Sequence, residues 1–325
     1  VVVLALTHGL DRFGVLHMAY LLMVVAAPIA FLIISLPLII DREYRTPIVA
    51  RLLFVAAFGL IGAGVWATHV EPDRLVVDTH GLGVSGAERP SVIGVIADLQ
   101  TPEVGVHERR AVDAVLDADP DLVLVPGDLY QVDDAMDDSR APEFIGLLRT
   151  LTEAVDLVVL VDGDTDDAEI LAEMALESGA VFLEDELLEA DLDGQRLTIV
   201  GLANPFGEDR SMIDPLVLRQ LEDSYGEDDL ILVVSHRPDP VLSLGDLPID
   251  LMVSGHTHGG QVSLPRIGPL ITSSEVPRRV AAGGLHLVNG HPLYVSTGVG
   301  LERGQAPQIR FGVPPSVGVL TIVPS

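Results

Sequence analysis

The chain has 325 residues, ample for one large domain or two, and contains no cysteine, which excludes disulfides and thiolate metal sites. It carries 48 acidic residues against 19 basic ones, none of them lysine, for a net charge of −29. That acidic excess excludes nucleic-acid backbone binding as the main task. It matches surfaces adapted to high salt, where a Debye length of roughly 3 Å at 1 M screens the self-repulsion. An acidic protein from a GC-rich genome is the plainer reading of the same numbers.

From Gly14 to Ile40 the chain is almost wholly apolar, interrupted by His17, Pro28 and Pro37. This exceeds the roughly 20 residues that cross a bilayer. A second apolar run follows from Ile48 to about Thr68, with Arg51 near its start and Trp66 near its end. Residues 1–70 thus read as a transmembrane helical hairpin, the alternative being a helical pair buried in a soluble protein. A cleaved signal peptide would be shorter and carry one apolar core. Arg42 and Arg45 between the runs, with Arg51, outnumber Arg12 ahead of them. The positive-inside rule then puts the turn in the cytoplasm and the large domain outside, as a multi-pass protein of the cell membrane.

Residues 71–90, with Pro72, Gly81, Gly83, Gly86 and Pro90, lack sustained periodicity and read as a linker or an early edge hairpin. The domain expected over 91–325 opens with the buried-strand composition of Ser91 to Ala97, which ends in Asp98-Leu99-Gln100. A helix over about Val106 to Ala118 follows, then strand Asp121 to Val125, ending in Pro126-Gly127-Asp128. Past an acidic loop around Asp133, Asp134, Asp137 and Asp138, a helix covers Ala141 to Ala154. Strand Leu157 to Val161 then ends in Asp162-Gly163-Asp164-Thr165-Asp166. Helices over Asp167 to Ser178 and Ile213 to Tyr225 flank a strand-rich stretch containing Val181 to Leu183 and Arg196 to Gly201. Strand Leu230 to Val234 ends in Ser235-His236, and Asp250 to Val253 leads into Gly255-His256-Thr257-His258-Gly259-Gly260-Gln261. Leu285 to Val288, Pro292 to Ser296, Gln308 to Phe311 and Val317 to Val323 read as short strands of a second sheet. The expected fold is α/β, a layered αββα sandwich of two mixed sheets.

Five buried strands each deliver a potential metal ligand at the carboxyl end, where α/β sheets build their sites. Without thiols, such ligands favour Mn, Fe, Zn or Co, and the expected cofactors are two divalent ions, manganese first. Two such ions about 3.5–4 Å apart need a shared carboxylate, for which Asp128 stands in the right place. Asp98, Asp128 and His256 form the candidate catalytic set.

The order Asp98-x-Gln100, Gly127-Asp128, Gly163-Asp164, His236 and Gly255-His256-x-His258 resembles the calcineurin-like metallophosphoesterase superfamily over residues 91–325. Leu293 to Gly300, Gln308 to Gly312, Pro314-Pro315 and the GHTHGGQ spelling are similar to its membrane-associated bacterial and archaeal branch. The resemblance implies metal-dependent hydrolysis of phosphoesters by a dinuclear site. One ion would be held by Asp98, Gln100, Asp128 and His258, the other by Asp128, Asp164, His236 and His256. Three departures matter. Gln100 stands where the family usually has histidine, which implies a looser first ion; Asp164 replaces the usual asparagine and favours a harder ion. Thr165 replaces the histidine that in many members protonates the leaving oxygen, a loss that costs about 10²- to 10⁴-fold. Asp162 and Asp166 lie close enough to be considered as substitutes.

The expected partners are a phosphoester substrate, with a lipid-linked one suggested by the membrane helices, and the membrane itself. The competing reading is a catalytically weak or inactive metal-binding membrane sensor or scaffold. Arg303 and Arg310 could contact phosphate bidentately, without an assigned role.

Overall fold

A computed structural model of the chain describes residues 11–40, 47–132, 140–204, 211–224 and 230–325. The inter-run turn with Arg42 and Arg45, and the acidic cluster from Asp133 to Asp138, lie outside the described residues. The chain divides into two compact units: residues up to Pro72 with Glu302–Phe311, and Asp73–Leu301 with Gly312–Ser325.

The first unit holds two helices, α1 (Arg12–Ile40) and α2 (Ile48–Asp73), both long and apolar enough to cross a membrane. Their contact is built on small residues at multiples of seven: Gly14, Pro28 and Ser35 on α1, Ala50, Ala57 and Gly64 on α2, all buried. A seven-residue repeat keeps one seam of each helix facing the other, and small side chains let the backbones approach. A Cβ on Gly64 would lie 3.1 Å from Val24 Cβ, and the Tyr20 hydroxyl donates to the Gly64 carbonyl at 3.4 Å. Large apolar side chains such as Ile33, Leu52, Val55 and Phe58 are exposed. A π-helical turn at Leu22–Ala26 precedes Pro28, whose ring cannot donate to the turn before it. Segment 302–311 joins this unit: Arg310 N–H donates to the Ala67 carbonyl at 2.9 Å, and the Arg310 side chain is fully buried.

The second unit begins with strand β1 (Val76–Val84) and β2 (Ser91–Val95), then helix α3 (Val106–Leu116), β3 (Leu122–Pro126), α4 (Ala141–Thr152), β4 (Leu157–Val161), α5 (Ala168–Ser178) and β5 (Val181–Phe182). It continues through β6 (Glu186–Leu192), β7 (Gln195–Leu202), α6 (Pro215–Ser224), β8 (Leu230–Ser235) and β9 (Leu251–Ser254). Last come β10 (Ser263–Leu264), β11 (Gly268–Pro269), the short helix α7 (Arg278–Ala281), β12 (Gly284–Val288), β13 (His291–Val295) and β14 (Ser316–Pro324). One six-stranded sheet runs β1-β14-β2-β3-β4-β5 and the other β12-β13-β9-β8-β7-β6. Both are mixed: β2 to β5 are parallel while β14 is antiparallel to β2, and β7, β8, β9 and β13 are parallel between antiparallel edges β6 and β12.

Strand alternation sorts the core into layers. Leu122 and Leu124 of β3 turn to the other sheet, meeting Leu232, Val234 and Val253, while Val123 and Val125 turn to the helices. There Phe144, Leu147, Leu148 and Leu151 form the buried stripe of α4, at the spacing of one helix face. Val217 and Leu221 of α6 cover the outer face of the second sheet through Val200, Ile231 and Val233. This is the αββα sandwich expected from the order of elements. Local signals set the boundaries: α5 starts where Asp167 accepts from Glu169 and Ile170 N–H at 3.0 and 3.2 Å, and stops at left-handed Gly179.

Four stretches differ from the sequence reading or extend it. Within 71–90, read as a linker or an early edge hairpin, residues 76–84 form β1, an edge strand that pairs parallel with β14 and not with its sequence neighbour. Gln308–Phe311 forms no strand, and the last strand joins the first sheet between β1 and β2, not the second sheet. An apolar run specifies burial and period but does not name which of two buried sheets supplies its ladder. The fourth is β6, inside the stretch read as strand-rich, whose hairpin with β7 turns at Asp193-Gly194, both at positive φ. Asp-Gly is the favoured pair for such a two-residue turn. Gly194 has φ of +90°, so Gly194→Val should lower unfolding free energy by about 1–2 kcal/mol. Urea titration would show this as an earlier midpoint with metal affinity unchanged.

Candidate metal centre

The parallel strands end on one side of the sandwich, and the loops that follow them are hydrogen-bonded to one another. Asp98 N–H donates to the Gly127 carbonyl at 3.2 Å and Gln100 N–H to the Asp128 carbonyl at 2.8 Å. Gly255 N–H donates to the His236 carbonyl at 3.0 Å, and Gly300 N–H to the Asp98 carbonyl at 2.7 Å. The loops also take an uncommon backbone. Asp98, Gln100, Asp128, His256 and His258 all have positive φ, between 42° and 67°. Non-glycine residues enter that region at a cost, and such outliers concentrate at functional sites.

These bends bring the candidate ligands together in two groups. The ligand atoms of Asp98, Asp128 and His258 lie within 4.8 Å of one another, and so do those of Asp164, His236 and His256. The groups meet where His236 Nε2 stands 3.5 Å from Asp128 Oδ2 and 3.9 Å from Asp164 Oδ2. His256 Nδ1 lies 3.0 Å from Asp164 Oδ2. His236 is oriented from behind: its Nδ1 donates to the Pro126 carbonyl at 3.0 Å, which leaves Nε2 for the site. The Asp98 carboxylate accepts from His256 N–H at 2.8 Å. Gln100 is buried beside Asp128.

Glycines make room for the carboxylates. A Cβ on Gly255 or on Gly298 would come within 2.7 Å of Asp98 Oδ2, and a Cβ on Gly163 would overlap the backbone nitrogen and Oδ1 of Asp128. Only glycine fits where another group approaches the backbone so closely.

The electrostatics call for positive charge. Burial alone would lower the pKa of His236, but Asp128, Asp98 and Asp164 outweigh it and push the imidazole up to about 9. For Asp164, burial acts to raise the pKa. The hydrogen bond to His256 and the charges of His236, His256 and Arg237 overcome it and hold the carboxyl well below the usual range. His236 Nε2 is buried and has no hydrogen-bond partner among the described residues. A buried nitrogen aimed at converging carboxylates, with an oxygen and nitrogen donor set, fits divalent cations of the borderline to hard class.

The residues considered as replacement acids serve the backbone instead. Asp166 accepts from the N–H groups of Leu129, Tyr130 and Gly163 at 2.9, 3.2 and 3.0 Å, tying the loops after β3 and β4 together. Asp162 accepts from Asn204 N–H at 3.0 Å. Thr165 donates its hydroxyl to the Tyr130 carbonyl at 2.6 Å and its N–H to Asp128 Oδ1 at 2.9 Å.

Two residues escaped the sequence reading. Asn204 Nδ2 donates to Asp164 Oδ1 at 2.8 Å, and the Arg237 guanidinium is paired with the same oxygen while its Nε donates to Asn204 Oδ1 at 3.1 Å. One carboxylate oxygen of Asp164 is therefore neutralised from behind and the other faces the histidines. Asn204 follows the end of β7, so the strand-end rule that found the other residues applies to it as well. Arg303 and Arg310 belong to the helical unit.

Residues 91–260, over half of the chain, match the calcineurin-like phosphoesterase family. The chain belongs to that family. It is a metallophosphoesterase, a hydrolase of phosphoester bonds in a family that uses divalent metal ions. Among similar proteins, the metallophosphoesterase YkoQ of Bacillus subtilis is 25% identical over 227 residues, covering 66% of this chain and 80% of YkoQ. The phosphodiesterase YaeI of Escherichia coli is 38% identical over 92 residues, which is 28% of this chain and 32% of YaeI. The UDP-2,3-diacylglucosamine pyrophosphatase LpxG of Chlamydia trachomatis is 36% identical over 92 residues, 26% of this chain and 27% of LpxG.

Because Gly163 leaves no space beside Asp128, Gly163→Ala should weaken manganese binding about 10- to 100-fold in a protein that still folds. Calorimetric titration of the metal-stripped chain, alongside its far-ultraviolet circular dichroism, would check both halves.

Proposed function

We propose that this metallophosphoesterase is a membrane-anchored phosphodiesterase with a dinuclear centre. Asp98, Gln100, Asp128 and His258 would hold one ion, and Asp128, Asp164, His236 and His256 the other, with Asp128 between them. The observation that carries this reading is the pair of three-residue groups meeting at the 3.5 Å approach of His236 to Asp128. Two ions bound there would supply Lewis-acid polarisation of a phosphate and a lower pKa for water, with manganese the favoured occupant.

The rest follows from the chain's own groups. Asp164 turns one oxygen to the histidines while Arg237 and Asn204 fix the other, so its orientation does not depend on the substrate. His256 presents Nδ1 to Asp164 and hydrogen-bonds through Nε2 with the Ser273 carbonyl at 3.2 Å. Thr165 cannot act as an acid near neutral pH, and its hydroxyl already donates to Tyr130. The leaving oxygen therefore departs without a proton from that position. This favours esters and anhydrides whose leaving groups are weak bases.

Both helices of the first unit have the length and apolar exposure of membrane spans, which supports an anchor in the bilayer. The arginines at 42, 45 and 51 support a large domain outside the cytoplasm. The name of the LpxG relative, together with such an anchor, supports a lipid-linked phosphoester or pyrophosphate as substrate class.

The test is hydrolysis of a bis-aryl phosphodiester beside an aryl monoester by the full chain in molar salt, with Mn, Co, Zn and Mg titrated in. Manganese-dependent turnover of the diester in preference to the monoester is expected, reduced more than about 100-fold by Asp128→Asn. Folded protein that turns over neither ester with any ion would leave a metal-binding sensor as the function.

A further inference from the structure

The strand pair β10–β11 follows the metal loop directly and is built onto it. A Cβ on Gly260 would meet the Ile271 carbonyl at 2.5 Å, and Leu270 N–H donates to the Val262 carbonyl at 3.1 Å. Ser273, just beyond, hydrogen-bonds to His256. Helix α7 packs against β11. Whatever this hairpin touches is therefore brought next to the metal centre.

Its surface combines apolar and basic side chains. Ile267, Leu270 and Ile271 are 63%, 43% and 39% exposed, and Arg266, Arg278 and Arg279 are exposed beside them. Between Val262 and Ala281 the only acid is Glu275, against three arginines, in a chain of net charge −29. The tip is shaped to hold this display: Ile267 N–H closes the turn on the Leu264 carbonyl at 3.1 Å, and Arg266 sits at φ of +69°, a conformation that arginine rarely takes. Large apolar side chains ringed by arginines, on an otherwise acidic surface, are the signature of a segment that enters a lipid headgroup layer. The apolar groups reach the acyl boundary and the guanidiniums meet anionic headgroups.

We infer that the 262–272 hairpin, with Arg278 and Arg279, is a membrane-contacting lip that seats the metal centre against an anionic bilayer and admits phosphoesters carried on lipids. The inference rests on the phosphoesterase reading for its substrate and deepens it. It selects a bilayer over a protein partner because this segment is locally basic in a chain of net charge −29, which suits anionic headgroups, and the same chain supplies two helices of membrane-spanning length.

The absence of native cysteine allows a direct test with the full chain in liposomes. Ile267→Cys and, as reference, Leu176→Cys on α5, where the side chain is 82% exposed, would each carry an environment-sensitive fluorophore. The liposomes would be phosphatidylcholine with or without phosphatidylglycerol, and would hold spin-labelled lipid as quencher. The expected result is a blue-shifted label at 267, quenched several-fold more than the label at 176, with the difference larger on phosphatidylglycerol. Arg266→Gln with Arg278→Gln and Arg279→Gln should remove the dependence on phosphatidylglycerol while leaving hydrolysis of the soluble aryl diester unchanged. Equal quenching at 267 and 176, or a 267 label shielded from water without lipid quenching, would overturn the lip, the latter in favour of a protein contact. Either result beside intact diester turnover leaves the phosphoesterase reading standing. Strong lipid quenching without turnover sinks that reading and keeps the lip.

Discussion

Three carboxylates and three imidazoles held within a few ångströms of one another, most of them shielded from water, form the constraint around which the phosphoesterase unit is arranged. Like charges at such separations repel, and Asp98, Asp128, His256 and His258 sit in left-handed backbone to place their side chains. With strain of about 1–3 kcal/mol at each such residue, the arrangement persists only because the surrounding structure leaves it no alternative. Parallel strands buried on both faces hold the loop stems. Asp166 and the hydrogen bonds between neighbouring loops hold their tips. The cores on either side of each sheet are what hold so many ionisable groups this close together.

Much of this was legible in the sequence, for identifiable reasons. A strand buried on both faces is written as an unbroken apolar run, so the stems of Asp98, Asp128, Asp164, His236 and His256 could be found by composition alone. The helices between them were bounded by Asp167, Gly179 and their amphipathic spacing. What resisted was information carried by pairing and not by period. The strand at 316–324 is apolar whichever sheet it enters, and β1 alternates weakly in hydropathy because its more covered face carries Asp78 and His80, which pair with each other. Left-handed backbone at five non-glycine positions leaves no compositional trace. Arg237 was passed over because it adjoins a histidine whose own role was easier to see.

The departures from the family pattern read differently once side chains are placed. An aspartate at 164 adds negative charge to an already acidic centre, yet Arg237 and Asn204 take up one of its oxygens, so the group facing the histidines carries less net charge than its identity implies. Thr165 keeps a structural use through Tyr130 and Asp128 after giving up acid chemistry. Both positions are thus integrated into the loops around them.

The placement of β14 bears on how such a protein is made. It lies between β1 and β2, in register with both, although more than 200 residues separate it from them. Until residues 316–324 leave the ribosome, β2 presents an open ladder of amide and carbonyl groups and β1 has no hydrogen-bonded strand beside it among the described residues. Loop-closure entropy delays such distant pairing, and an unpaired buried-type strand is a template for other chains. The apolar helices and most of the first sheet therefore emerge well before the strand that seals that sheet. For most of translation the nascent domain depends on chaperones, or on its own high charge, to stay apart from its neighbours.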